Sequence, residues 1–146
     1  MHDYPFTLHW SGSTQDDPFS RDATATAPGK AALRLSAGAE PGDMSKWNPE
    51  DLLGASLAMC HTLTFLALAK KVGIEVREVT GANQAVLEKV GRVPTVTKII
   101  LRPTITLGPD ADEAKAAEMY EKAHKYCYIA NSIKAETVME PTFVKG

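Results

Sequence analysis

The chain has 146 residues, enough for one domain that buries most of its apolar surface without help from disulfides. Its 16 basic and 18 acidic residues are mixed along the chain, so no basic stripe exists to hold phosphates, and nucleic acid is excluded as a natural partner. The first residues, Met1-His2-Asp3-Tyr4-Pro5, lack a charged leader followed by an apolar run, which points to a cytoplasmic protein among reduced thiols. A structural disulfide is improbable there, so the two cysteines, Cys60 and Cys127, need another account.

In chain order, Phe6, Leu8 and Trp10 alternate with Thr7 and His9, the period of a half-buried strand. Residues 31–36 alternate as well, so the N-terminal third reads as a small antiparallel sheet. A polar loop over 11–22 lies between them, and a Gly- and Pro-rich loop over 37–46 follows.

Asn48-Pro49-Glu50-Asp51 then opens a helix: Asn caps free N–H groups, Pro suits the first helical position, and the acids meet the positive end of the dipole. Gly73 sets its stop after Lys70 and Lys71, so the helix is expected over 49–72. The 18 residues 52–69 carry no Asp, Glu, Lys or Arg, but Gly54, Ser56, His61, Thr62 and Thr64 fit a helix inside protein better than one in lipid. Apolar residues surround nearly its whole circumference. One small domain can hardly cover such a helix, and a partner chain is the natural cover.

Residues 74–79, 84–90 and 93–107 read as strands of one second sheet, with turns near Gly81 and Gly91. A second helix is expected over 109–125, then a short helical turn over 127–133 and a closing strand over 136–144. Strands, helix, strands, helix, strand: this is an α+β fold in a single domain over 1–146.

Cys60 lies midway along the buried helix, with Ser56 and Thr64 one turn to either side. A free buried thiol is most often an apolar filler. Cys127 lies 67 positions later near a helix junction, so any contact between the two is tertiary and spacing leaves it open. Cys60-His61 and His124-x-x-Cys127 offer a zinc-like donor set, yet adjacent residues on a helix point about 100° apart and chelate one ion poorly.

Three segments together carry a resemblance. Asn48-Pro49-Glu50-Asp51-Leu52-Leu53 with Cys60 in a small-residue helix resembles the signature of the OsmC/Ohr family, the osmotically inducible and organic hydroperoxide resistance proteins. His124-Lys125-Tyr126-Cys127-Tyr128-Ile129-Ala130-Asn131-Ser132-Ile133 is the second match, and Trp10-Ser11-Gly12 with Phe19-Ser20-Arg21-Asp22 a third and weaker one. His61 and Tyr128 stand where organic hydroperoxide members usually carry an aromatic residue and a proline, so the chain is similar to a less characterised branch.

The resemblance implies an intertwined homodimer, with long central helices packed between antiparallel sheets and active sites at the subunit interface. It implies a peroxidase in which Cys60 attacks the peroxide and Cys127 resolves it, assisted by Arg21 and Glu50. Arg34 is the alternative arginine. The implied partners are a hydroperoxide substrate and a thiol or dithiol reductant; no cofactor or metal is called for, and no membrane. A non-catalytic dimer that binds an apolar ligand at its interface is the competing reading.

The chemistry needs these residue types. A free thiol of pKa about 8.5 is only some 3% ionised at pH 7, and lowering it to about 6 ionises roughly 90%, a difference of about 3.4 kcal/mol. A buried helix works against this by desolvation, so a cation must be brought close. Arginine can hold both the thiolate and a departing oxygen, and a carboxylate can orient the arginine.

Overall fold

The computed structural model describes residues 1–146. Two compact units divide the chain, residues 1–52 and 53–146.

In the first unit, β1 (Thr7–His9), β2 (Ala23–Thr26) and β3 (Leu33–Leu35) form an antiparallel sheet in that order. The alternating segments were legible as strands, whereas β2, all Ala and Thr, carries no apolar alternation and was missed. The expectation that β1 is half-buried fails within one chain: Phe6 and Leu8 are 76% and 62% exposed. Alternation reports which face is apolar, not whether anything covers it. In the following loop, the buried Ser36 hydroxyl accepts from Asp43 N at 2.9 Å. Lys46 pairs with Asp22 at 2.8 Å and Asp43 at 3.3 Å, tying the loop to the end of the β1–β2 connection.

Helix α1 (Pro49–Lys71) starts as its cap predicts: Asp51 N donates to Asn48 Oδ1 at 2.8 Å. Gly73, at φ +78°, ends it in the left-handed conformation, and Ile74 N returns to Ala69 O at 2.9 Å. Gly54, Leu57, His61, Phe65 and Ala69 form its buried stripe, spaced by three and four residues. The opposite face is bare within one chain, with Met59 59% and Leu63 53% exposed. By length and composition alone α1 is long and apolar enough to cross a membrane, and 28% of that stretch is buried in the protein.

Residues 74–107 form two sheets rather than the single one expected. Strands β4 (Val76–Gly81) and β5 (Gln84–Val90) lie in different sheets, and the expected long strand splits into β6 (Val93–Leu101) and β7 (Pro103–Leu107). Inward alternation runs unbroken through Leu101, Pro103, Ile105 and Leu107, which made the pair read as one strand. The ladder partners change at Arg102, however, and Pro103 has no N–H to continue the old one.

Likewise, the closing strand is two: β8 (Glu136–Met139) runs parallel to β6 and β9 (Thr142–Lys145) parallel to β7. The sheets are therefore β5-β6-β8 and β4-β7-β9, each mixed in direction. Both chain segments change sheets at the same corner. There Glu140 N donates to Leu101 O at 2.8 Å and Arg102 pairs with Glu140 at 3.4 Å. Gly81 is required nearby, because a Cβ there would stand 2.8 Å from Arg102 O.

Helix α2 (Glu113–Tyr126) begins four residues after Pro109, the start expected from the sequence. Asp112 is its true cap, accepting from Lys115 N at 3.1 Å, while Pro109 and Asp110 form a turn before it. The helix ends at Cys127, whose extended backbone (φ −72°, ψ 116°) leads into the short 3-10 turn η1 (Ala130–Ser132).

Two apolar clusters result. Phe65 and Ala69 of α1 pack with Ile105 and Leu107 of β7 and with Ala116, Met119, Tyr120 and Ala123 of α2. Leu57 packs with Ile99, Leu101 and Cys127, with Cys60 and Ile129 against them. Burying a side chain such as Phe65 or Leu57 contributes about 1.5–3 kcal/mol.

Candidate active site

Cys60 and Cys127 are both free thiols, Cys60 half-buried and Cys127 fully buried. Helix α1 presents Cys60 one turn beyond Leu57, into the second apolar cluster, and the C-terminus of α2 delivers Cys127 to the same cluster. The two thiols, whose relation spacing left open, meet in one apolar cluster, near enough for each to shift the other's acidity.

Around this pair the backbone does much of the electrostatic work. Burial pushes the Cys60 thiol up, but it is outweighed by the N–H of Ile129, the Cys127 thiol, the N–H of Tyr128 and the Thr64 side chain. The net result is a thiol below its ordinary value. Burial pushes the Cys127 thiol up; the N–H of Ala130 opposes this, while the hydrogen bond to Cys60 and the charge of its thiolate push it further up. Ala130 N donates to Cys127 Sγ at 3.5 Å. Of the two, Cys60 is thus the more acidic thiol.

The resemblance marked Cys60 and Cys127 but not the N–H groups of Tyr128, Ile129 and Ala130. A backbone donor carries no residue-type signal, so nothing in the sequence could have shown these three. Thr64 was visible as a polar neighbour one turn away, and its hydroxyl donates to Cys60 O at 2.8 Å.

Arg21 and Glu50 belong to the first unit. Arg21 is half-buried; its Nη1 donates to Phe19 O at 2.6 Å and its guanidinium lies 3.4 Å from the centre of the Phe19 ring. Trp10 packs edge-on to Phe19 and donates from Nε1 to Ser20 O at 2.8 Å, so the weak Trp10–Arg21 motif is one built loop. Glu50 sits in the first turn of α1, with Oε2 close to Gly38. No ion pair joins Arg21, or the alternative Arg34, to Glu50.

His61, adjacent to Cys60, points elsewhere. It is 1% exposed, stacks edge-on to Tyr120 at 4.4 Å, and its Nε2 has no hydrogen-bond partner. Burial first, then the charge of His124, lowers its pKa to about 4. Cys60, His61, His124 and Cys127 do not assemble into a group of metal donors. A separate cleft of about 320 Å³ along the bare face of α1 is lined by Met59, Thr62, Val79, Asn83, Pro103 and Tyr120 among others. It holds no cysteine and no charged side chain.

The profile of the OsmC-like proteins matches residues 41–142, a span that holds both thiols. The chain belongs to the OsmC-like family. It is 28% identical over 96 residues to the uncharacterized protein YmaD of Bacillus subtilis, with 64% of each chain covered. It is 26% identical over 93 residues to the peroxiredoxin OsmC of Escherichia coli, again over 64% of each. The matched region thus spans just under two thirds of these relatives' length. A solved OsmC-like protein of unknown function from Vibrio cholerae superposes with a TM-score of 0.87 at 27% identity, covering 97% of this chain and 99% of that one. The mixed α+β architecture expected from the element order is therefore the architecture of this family.

Proposed function

We propose that this OsmC-like protein is a thiol peroxidase that reduces organic hydroperoxides, working as a cytoplasmic homodimer. The observation that carries the reading is the meeting of two unbridged thiols, Cys60 and Cys127, in one apolar cluster, with their acidities shifted in opposite directions. Membership of a family that includes a protein named as a peroxiredoxin supports it.

In the first step the Cys60 thiolate attacks the terminal peroxide oxygen. An S–O bond forms, the O–O bond breaks with two electrons from sulfur, and the departing alkoxide takes a proton from water to leave as alcohol. In the second, the Cys127 sulfur attacks the sulfenic sulfur, and hydroxide leaves with the Cys127 proton as water. A thiol or dithiol reductant then reopens the disulfide. Arg21 and Glu50 enter by the family resemblance: a guanidinium to stabilise the thiolate and the leaving oxygen, and a carboxylate to orient it. Arg34 is the substitute arginine.

The test is peroxide consumption by purified protein with a dithiol reductant. Cys60→Ser should abolish it; turnover near wild type in that variant would overturn the proposal.

A further inference from the structure

The turn that brings Cys127 and Ile129 into the cluster around Cys60 is a short segment whose shape one side chain holds. Tyr128 and Ile129 follow directly on the extended Cys127, and neither of their N–H groups donates to a backbone carbonyl. Asn131 clamps this segment from outside. Its Nδ2 donates to Lys125 O at 3.0 Å and to Cys127 O at 2.9 Å, using both amide hydrogens, and its own N donates to Cys127 O at 3.1 Å. Ser132 adds a bond from its hydroxyl to Tyr128 O at 2.6 Å. The Lys125 and Cys127 carbonyls lie at the end of α2, where such groups lose their helical partners. Asn131 satisfies them and ties the turn back to the last helical residues.

We infer that Asn131 is a positioning residue for Cys60: by tying the Lys125 and Cys127 carbonyls it holds the turn that packs Cys127 and Ile129 into the cluster around Cys60. Asn131 acts only through the turn. The inference deepens the peroxidase reading and rests on it for its meaning in catalysis. The geometric claim stands on the hydrogen bonds and on the cluster that Cys60 shares with Cys127 and Ile129. Other residue types fit less well. An aspartate would set a carboxylate against two carbonyl oxygens, and an alanine would leave the Lys125 carbonyl without this partner and the Cys127 carbonyl with only the backbone N–H of residue 131, loosening the turn.

A residue that merely caps the helix would also stabilise the fold, so the test must read the thiolate separately. The protein, reduced and free of peroxide, is alkylated with iodoacetamide from pH 5 to pH 10, and the rate at Cys60 is followed by peptide mass mapping. Asn131→Ala should raise the midpoint of the Cys60 profile and slow its alkylation at pH 7 about fivefold to tenfold, since one pKa unit is a factor of ten. The plateau rate at high pH should stay at the wild-type value, because the thiolate once formed is as accessible as before. Asn131→Ser keeps one donor and should fall between the two; it carries the test if Asn131→Ala does not fold. A midpoint equal to wild type in a folded variant, or a rate changed by one factor at every pH, overturns the inference. Peroxide consumption plays no part in this readout, so failure of the peroxidase reading would show separately, as an inert protein whose Cys60 profile still depends on Asn131.

Discussion

At the scale of single residues, the opposite shifts of the two thiols define an order of reaction. Cys60 is held below and Cys127 above the ordinary thiol value, so raising the pH from acid should expose Cys60 to alkylation first. Cys127→Ala removes the thiol whose proximity lowers the Cys60 pKa, and the Cys60 midpoint should therefore rise. An unchanged midpoint would mean that the backbone donors alone hold the thiolate. His61 gives a second residue-scale prediction, now for stability. Its folded pKa of about 4 lies below an ordinary value of 6.5, so between these the unfolded chain binds more protons. Stability is full above about pH 6.5 and should be lost as pH falls toward 4, by about 3 kcal/mol from this group. His61→Phe keeps a ring against Tyr120 and removes the unpartnered nitrogen. Urea denaturation should show a flatter profile between pH 6.5 and 4 in that variant, and an equally steep one would exclude His61 as the cause.

At the scale of elements, what was legible depended on whether the signal was local. Helix α1 was read within a residue at its end, because Asn48, Pro49 and Gly73 act on their own neighbours. The divisions at Arg102 and between Met139 and Thr142 were not, because alternation is continuous there and only the ladder partner changes. The start of α2 was misplaced because Pro109 and Asp110 imitate a helix opening, while the bond from Lys115 N fixes the cap at Asp112. That bond can be tested. Asp112→Ala should cost about 1 kcal/mol in chemical denaturation with no effect on the Cys60 alkylation profile. The site divides in the same way. The two thiols were named by resemblance, whereas the N–H groups that tune them follow from the path of the chain after Cys127 and have no signature in residue type.

At the scale of the whole molecule, one chain leaves large apolar side chains bare. Met59 and Leu63 on α1, and Phe6 and Leu8 on the first sheet, are each more than half exposed. The proposed homodimer covers such surface, and the protein should elute at about twice 15.8 kDa at micromolar concentration. Leu63→Lys should shift it toward the monomer, while a wild-type monomer in light scattering would remove the dimer from the account.

The central claim is that Cys60 and Cys127 act as a pair on a hydroperoxide, and intact-mass spectrometry after one equivalent of an organic hydroperoxide tests it most directly. Wild-type protein should lose two hydrogens and all free thiol, as a disulfide forms between the two residues. Under excess peroxide, Cys127→Ser should instead gain two oxygens, as the unresolved sulfenic acid at Cys60 proceeds to sulfinic acid. A wild-type protein that keeps both thiols, or that gains oxygen without losing hydrogen, would contradict the account.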